Sequence, residues 1–513
     1  MRRTPFFWLF LILTLVSAIP LLVFRHWPTM DGAAHLYNAR LLLELVFNGG
    51  EGLQGYYSLN PEPVPNWTGH LVLMLGMLVG LPAFLAEKVL LLCIGIGLPL
   101  AFYSLVKKIR SEVPGPLSLL ILPFVYTFLF GLGFYNFTLG LVFFLLTLRQ
   151  WFSIREQPDF GKNILLFVGI ALCYFSHLLS FVMLAISLLV LVLSDYFSST
   201  DKVHRKQIFR NALAVLTLFI PFLALFAFFY LKRDGASGAQ LSMQELVEIL
   251  VGIRSLVIYN FGHEYGKTTL IYHVLMVLSV GAAFLFSKEE VRSKVFWSRL
   301  SWAILTLISL ILLFVMPDSS SGGGYISQRI SLFLFFFVLL WINENLYPKM
   351  LARAAAGLVV ILHFMLVVQY IKVAATQNKE AGYMAEVAGH IKPGSVVLPI
   401  RSSWNWLDGH FSNYLGIDKP LTILENYEAS TGYFPVLWND ERVPAFEIGY
   451  GASDCAYWKK GNAVVAQPDY IVFWGVKDPE ACEAGLLETV QQHYELVYTS
   501  QEDHVKLYRN NAQ

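Results

Sequence analysis

The sequence predicts a polytopic α-helical membrane protein of about eleven spans that carries a C-terminal extracytoplasmic α/β domain. Three observations predict it. Of 513 residues, 56% are hydrophobic and only 14% are charged, whereas about 25% of a soluble domain is charged. Apolar runs of the length a helix needs to cross a bilayer recur through the first 373 positions. From about Ala374 the composition turns polar and stays so.

Lipid offers no partner to a free backbone N–H or C=O, so each apolar run is read as a helix. The runs fall at 6–24, 87–106, 116–133, 138–152, 163–177, 179–196, 209–231, 269–287, 300–316, 328–345 and 352–372. Those at 138–152 and 163–177 are short, as half-helices or tilted spans would be. His70–Leu85 is also apolar. It is read as a helix lying on the outer surface, because counting it as a span spoils the charge asymmetry. Arg2 and Arg3 before the first run place the N-terminus in the cytoplasm. On that choice the inner loops carry sixteen Lys and Arg, from Lys107 to Arg353, against eight in the outer segments, from Arg25 to Arg329. The alternative for the first run is a cleaved signal peptide: "VSA" at 16–18 offers small residues, but the apolar run continues through "LLVF".

An odd number of spans leaves the C-terminus outside. The chain then divides into a transmembrane catalytic domain, 1–373, with a long first outer loop at 25–69, and an extracytoplasmic α/β domain, 374–513. "GSVVLPI" (394–400) and "DYIVFWG" (469–475) read as buried strands, 478–494 as a helix, and "YELVYTS" with "HVKLYRN" as a closing hairpin. Cys93 and Cys173 lie in apolar runs and read as packing residues. Cys455 and Cys482 lie in the polar region, where a disulfide is open to them in an oxidising compartment. A net charge of +1 and the lack of a basic stripe exclude nucleic acid as a partner. The sequence contains no P-loop, no G-x-S-x-G and no H-E-x-x-H.

Ionisable groups at membrane depth are costly, so those at the outer ends of spans are the candidates for function. The first outer loop holds Asp31, His35, Glu62 and, at its far end, His70. The turn "GLGFYNFTLG" offers Asn136, the turn "CYFSHLLSF" His177, and "YNFGHEYGK" His263 and Glu264. "GGGYISQRI" places Tyr325 and Arg329 at the entry of a span. All fall on one side of the predicted topology, which describes a polar cleft open to the outside. Each has a plainer reading. Asp31 in "MDGAAH" suits a helix N-cap, a role compatible with chemistry. His35 has a loop carbonyl as its alternative partner. Glu62, before Pro63, reads equally as solvated. His70 and His177 read also as hydrogen-bonded buried histidines. His263 and Glu264 lie on a Gly-flanked loop where exposure competes with chemistry. Arg329 offers a planar fork of donors that suits a phosphate, with snorkelling to headgroups as the alternative. In the C-terminal domain, "SSWNWLDGH" groups Trp404, Trp406, Asp408 and His410, which suits stacking on a sugar or loop packing.

The layout, with "MDGAAHLYNARLL", "EPVPNWTGHLVL" and "GGGYISQRI" as its residue-level part, resembles the GT-C fold of polyprenyl-phosphate-sugar-dependent glycosyltransferases. That class includes protein O-mannosyltransferases and the aminoarabinose transferase of lipid A. The resemblance covers essentially the whole chain as architecture. It implies an inverting transfer of a sugar from a polyprenyl-phosphate donor, within the lipid bilayer of a cell envelope, to a glycan, lipid or protein hydroxyl on the outer face. It gives Asp31 the position of the first-loop catalytic acid, with His35 orienting it or binding acceptor, and Arg329 with Tyr325 at the donor phosphate. Glu62, His70, Asn136, His177, His263 and Glu264 are the remaining substrate-binding candidates. Many GT-C enzymes carry two adjacent acids in this loop, whereas Gly32 and Ala33 follow Asp31 here; a second acid would come from Glu62 or Glu264. No cofactor is required. A divalent metal on Asp31, His35, His70 and His177 stays open, without a D-x-D to mark its ligands. The other function classes are a lipid or glycan transporter, for which the inverted repeats are missing, and a non-catalytic GT-C-like scaffold.

Overall fold

A computed structural model of the chain describes residues 4–50, 53, 55–110, 114–155, 159–232, 238–286, 293–320, 323–403, 405–439, 468–475, 490 and 492–512. Among the described residues, nine helices are long and apolar enough to cross a membrane: Pro5–Val23 (α1), Ala83–Ile109 (α4 Ala83–Gly95 with α5 Gly97–Ile109), Tyr135–Ile154 (α7), Leu178–Ser198 (α9), Lys202–Leu231 (α10), Phe261–Phe286 (α12), Lys294–Val315 (α13), Ile326–Glu344 (α14) and Lys349–His390, whose α-helical part is Lys349–Val387 (α15). The protein is an integral membrane protein. Between these lie α2 (Gly32–Phe47), α3 (Thr68–Leu78), α6 (Phe128–Gly131), α8 (Phe160–Ser176) and α11 (Met243–Val251).

One of the eleven expected spans takes a different form. The run at 116–133 is a 3₁₀ helix, Pro116–Val125, followed by the single turn α6. Pro123, inside the helix, withholds an N–H group that an α-helix would use there, while Pro116 stands at its first position, where proline is tolerated. A 3₁₀ helix rises about 2 Å per residue, so these ten residues still extend roughly 20 Å. The run at 163–177 is α8, an apolar helix whose 17 residues stand at the short end of the spanning range, as expected of that run. The apolar segment at 70–85 is likewise divided. α3 ends at Leu78, Gly80 takes a φ of +90°, and α4 starts after Pro82. In the other direction, α15 runs well past the expected end at 372, because "VAATQNKEAGYMAEV" contains only one glycine and no proline to stop it.

The chain forms two compact units. The first comprises Met1–Pro20, Leu92–Gly131 and Phe137–Tyr370. In it α13 packs against α9 and α14, around Trp302, Phe144, Phe333 and Phe337. Exposed apolar side chains such as Ile220 on α10 and Val277 on α12 suit a hydrocarbon solvent.

The second unit comprises Leu21–Leu91, Leu132–Asn136 and Ile371–Gln513. Its strands are β1 (Tyr57–Leu59), β2 (Val396–Arg401), β3 (Thr422–Ile423), β4 (Val436–Trp438), β5 (Tyr470–Trp474), β6 (Tyr494–Thr499) and β7 (Val505–Asn510), with the short helix α16 (Glu428–Thr431) before β4. Five of them form a mixed sheet in the order β3-β2-β5-β7-β6. The parallel pair β2 and β5, with Val397 opposite Tyr470, sits inside it and is buried along almost its whole length. That explains why both strands read as unbroken apolar runs. The hairpin β6–β7 closes the sheet through a turn with Glu502 and Asp503 at positive φ. A second, two-stranded sheet pairs β1 with β4, with the Tyr57 and Trp438 rings stacked 4.4 Å apart. The segment expected as the 478–494 helix, and Cys455, Cys482 and Trp404, lie wholly or mostly outside the described residues.

Candidate active site

In the second unit α2 starts beside the 132–136 turn. The Asp31 N–H donates to the Leu132 carbonyl at 3.0 Å. Gly133 takes a φ of +87°, and a Cβ on it would meet the Asp31 and Gly32 nitrogens at 2.9 Å. Gly32 is just as tightly placed, its missing Cβ lying 2.3 Å from Thr29 Oγ1 and 2.7 Å from the Tyr135 hydroxyl. These glycines let the turn and the helix start touch. Asp31 stands at the N-cap position, yet its side chain makes no capping hydrogen bond. Of its two readings, the structure therefore leaves the carboxylate for other partners.

Asp31, His35 and Asn38 recur at helical spacing, so they lie along one face of α2. Asn38 and Asn426 exchange amide hydrogen bonds of 2.9 and 3.0 Å, and the Tyr37 hydroxyl donates to the Leu421 carbonyl at 2.5 Å. These bonds fix the 421–428 segment against α2 and bring three carboxylates and three imidazoles together. His35 Nδ1 lies 2.6 Å from one Glu428 oxygen, and His70 Nε2 lies 2.8 Å from the other. His410 Nδ1 donates to Glu425, which also accepts from Ser412 Oγ at 2.6 Å and Asn413 Nδ2 at 2.5 Å. The far nitrogen of His410 is 3.6 Å from Asp31 Oδ1. Tyr427 stacks on the His410 ring at 4.3 Å and donates its hydroxyl to Asp31.

The electrostatics follow from burial. Asp31 is 4% exposed, and desolvation pushes its carboxyl above the ordinary range, while His410, His35 and the Tyr427 hydroxyl pull it back. At Glu428 burial acts upward too, but the His70 and His35 imidazoles outweigh it and hold the group at about 2. Desolvation works to lower His35 and His410, yet the facing carboxylates, Glu428 and Glu425, raise both.

Of the sequence candidates in this unit, Asp31, His35 and His70 meet directly. Asn136 accepts from the Gly69 N–H at 2.7 Å and so fixes the start of α3, which carries His70. Glu62 is half-buried in the turn after Asn60, whose side chain accepts its N–H at 3.0 Å. Sequence reasoning missed Glu425 and Glu428, and placed His410 only in an aromatic cluster. The one local signal was two acids three apart inside "LTILENYEAS". It also missed Glu87, which accepts from Tyr135 at 3.0 Å, and the use of Lys88, whose ammonium donates to the Leu21 and Phe24 carbonyls.

The first unit holds the other candidates. Arg329 Nη1 lies 2.7 Å from His177 Nε2, and the guanidinium sits over the Phe137 ring at 5.5 Å. His177 opens α9, its Nδ1 accepting from the Leu179 N–H at 3.1 Å. Tyr325, at a φ of 58°, precedes α14 and packs edge-on against Phe128. Glu264, expected in a loop, lies fully buried in the first turn of α12, and its carboxylate accepts from the Ile258 and Asn260 N–H groups at 2.5 and 2.9 Å, organising the segment before the helix. The neighbouring His263 is exposed.

No family model and no curated protein sequence matches the chain. Solved structures do. The apo structure of ArnT from Cupriavidus metallidurans is similar with a TM-score of 0.57 and 11% identity, over 98% of this chain and 97% of that one. ArnT from the same organism bound to undecaprenyl phosphate gives 0.57 and 12%, over 100% and 99%. From one end to the other, the chain has the GT-C fold that ArnT has.

Proposed function

We propose that the protein is a membrane glycosyltransferase that moves a sugar from a polyprenyl-phosphate donor to a hydroxyl of a lipid, glycan or protein, on the outer face of a bacterial inner membrane. The observation that carries the reading is the buried carboxylate of Asp31, held between Tyr427 and His410 at the start of α2, in the fold of a protein solved with undecaprenyl phosphate. A carboxylate in so dry a setting is a stronger base than one in water.

In the proposed reaction the acceptor oxygen attacks the anomeric carbon from the side opposite the phosphate. The carbon–oxygen bond to phosphate breaks as the new one forms, and Asp31 takes the hydroxyl proton. One such displacement inverts the anomeric centre. The phosphate leaves as an anion and needs positive charge rather than an acid, the role proposed for Arg329. His410, fixed by Glu425, keeps the Asp31 carboxylate oriented; the acceptor contacts are proposed for His35 and its neighbours.

The test is turnover of the purified protein with a panel of undecaprenyl-phosphate-linked hexoses and pentoses and candidate acceptor lipids. The expected result is donor-dependent release of undecaprenyl phosphate, with a product of inverted anomeric configuration. Release with retained configuration would overturn the one-step mechanism. Absence of release across the panel would favour a transporter or a scaffold.

A further inference from the structure

His35, His70 and Glu428 each offer one ligand atom, and these atoms lie within 4.8 Å of one another in fully buried positions. What makes the meeting point unusual is the far side of each imidazole. His35 Nε2 faces the Gly133 carbonyl at 2.9 Å, and His70 Nδ1 faces the Asn66 carbonyl at 3.1 Å. A carbonyl oxygen only accepts, so each ring places an N–H on that side. The other nitrogen of each ring points at Glu428, and His70 Nε2 is hydrogen-bonded to it at 2.8 Å. His35 Nδ1 approaches the other Glu428 oxygen at 2.6 Å. A cation that displaces the protons shared there would meet three electron-pair donors already converged.

Imidazoles whose second N–H rests on a backbone carbonyl are what metal sites use to fix tautomer and ring orientation. Two such imidazoles and a carboxylate form a zinc donor set, with a fourth position left for water or substrate. Magnesium and calcium prefer all-oxygen surroundings. The two rings stand at 87° to each other, 5.0 Å apart, so they approach from different directions rather than stacking. We propose that His35, His70 and Glu428 bind one divalent transition-metal ion, with zinc the best match. The inference concerns ligand chemistry and holds whether or not sugar transfer is the reaction. Within the proposed enzyme the ion would supply fixed positive charge close to Asp31.

The test reads metal rather than turnover. Full-length protein, stripped with chelator in detergent, is titrated with zinc chloride by calorimetry and assayed for bound metal by mass spectrometry. The expected result is about one zinc per chain. His70→Gln and Glu428→Gln are each expected to weaken binding by roughly 100-fold or more, whereas His204→Gln, which removes an exposed histidine, leaves it unchanged. Should the ligand variants fail to fold, cobalt loading of the wild-type protein decides: a tetrahedral site gives intense visible absorption that zinc then displaces. Wild-type protein that binds neither zinc nor cobalt above background would overturn the proposal. So would binding that both ligand variants retain in full.

Discussion

The polar residues of the second unit and those of the first are arranged on different principles. Around Asp31, three carboxylates and three imidazoles alternate over buried ground, each facing a partner of the other kind. Around Arg329, one guanidinium lies against one imidazole and one aromatic ring. The first arrangement joins parts of the chain far apart in sequence: His70 and Glu428 are 358 residues apart. The second is assembled at helix starts, from the cap of α9 and the first turn of α14. A buried group with several charged partners is expensive to disturb. A cation at a helix entry, facing an imidazole and an aromatic ring, can exchange a partner for a ligand at little structural cost.

The largest difference is expected in stability. Glu428→Gln leaves two buried imidazoles facing an amide. Breaking a buried pair by removing one partner costs about 3–5 kcal/mol, which should appear as a marked fall in Tm in detergent. Arg329→Lys keeps the charge and loses the fork, and its effect on Tm is expected to be small, on the order of 1 kcal/mol or less. Its effect on transfer should be larger: about 10–100-fold, since a lysine cannot grip phosphate through two parallel hydrogen bonds. Equal losses of Tm in the two variants would erase the distinction between the regions.

The same contrast explains what was legible in the sequence. Helices were readable where an apolar run was long and free of proline, as in α9, α12 and α14. The run containing Pro116 and Pro123 carried the same hydropathy but not the same geometry. β2 and β5 stood out because burial on both faces makes a strand uniformly apolar. Asp31, His35 and His70 were conspicuous as polar residues amid apolar neighbours. Glu425 and Glu428 were not, because nothing in "LTILENYEAS" signals that Asn426 and Tyr37 will dock it on α2. Glu264 shows the converse: an acid beside a histidine between glycines drew notice as a loop residue, and it stands in the first turn of α12, its carboxylate serving the backbone of the segment before the helix.

The central claim is that Asp31 is the base of a sugar transfer. Its most direct test compares wild-type protein with Asp31→Asn in single-turnover transfer from the best undecaprenyl-phosphate sugar of the panel. Asparagine keeps the shape and gives up the proton acceptor. The account predicts a rate lower by about 10²–10⁴-fold at unchanged donor affinity and near-normal Tm; transfer by Asp31→Asn at the wild-type rate would contradict it.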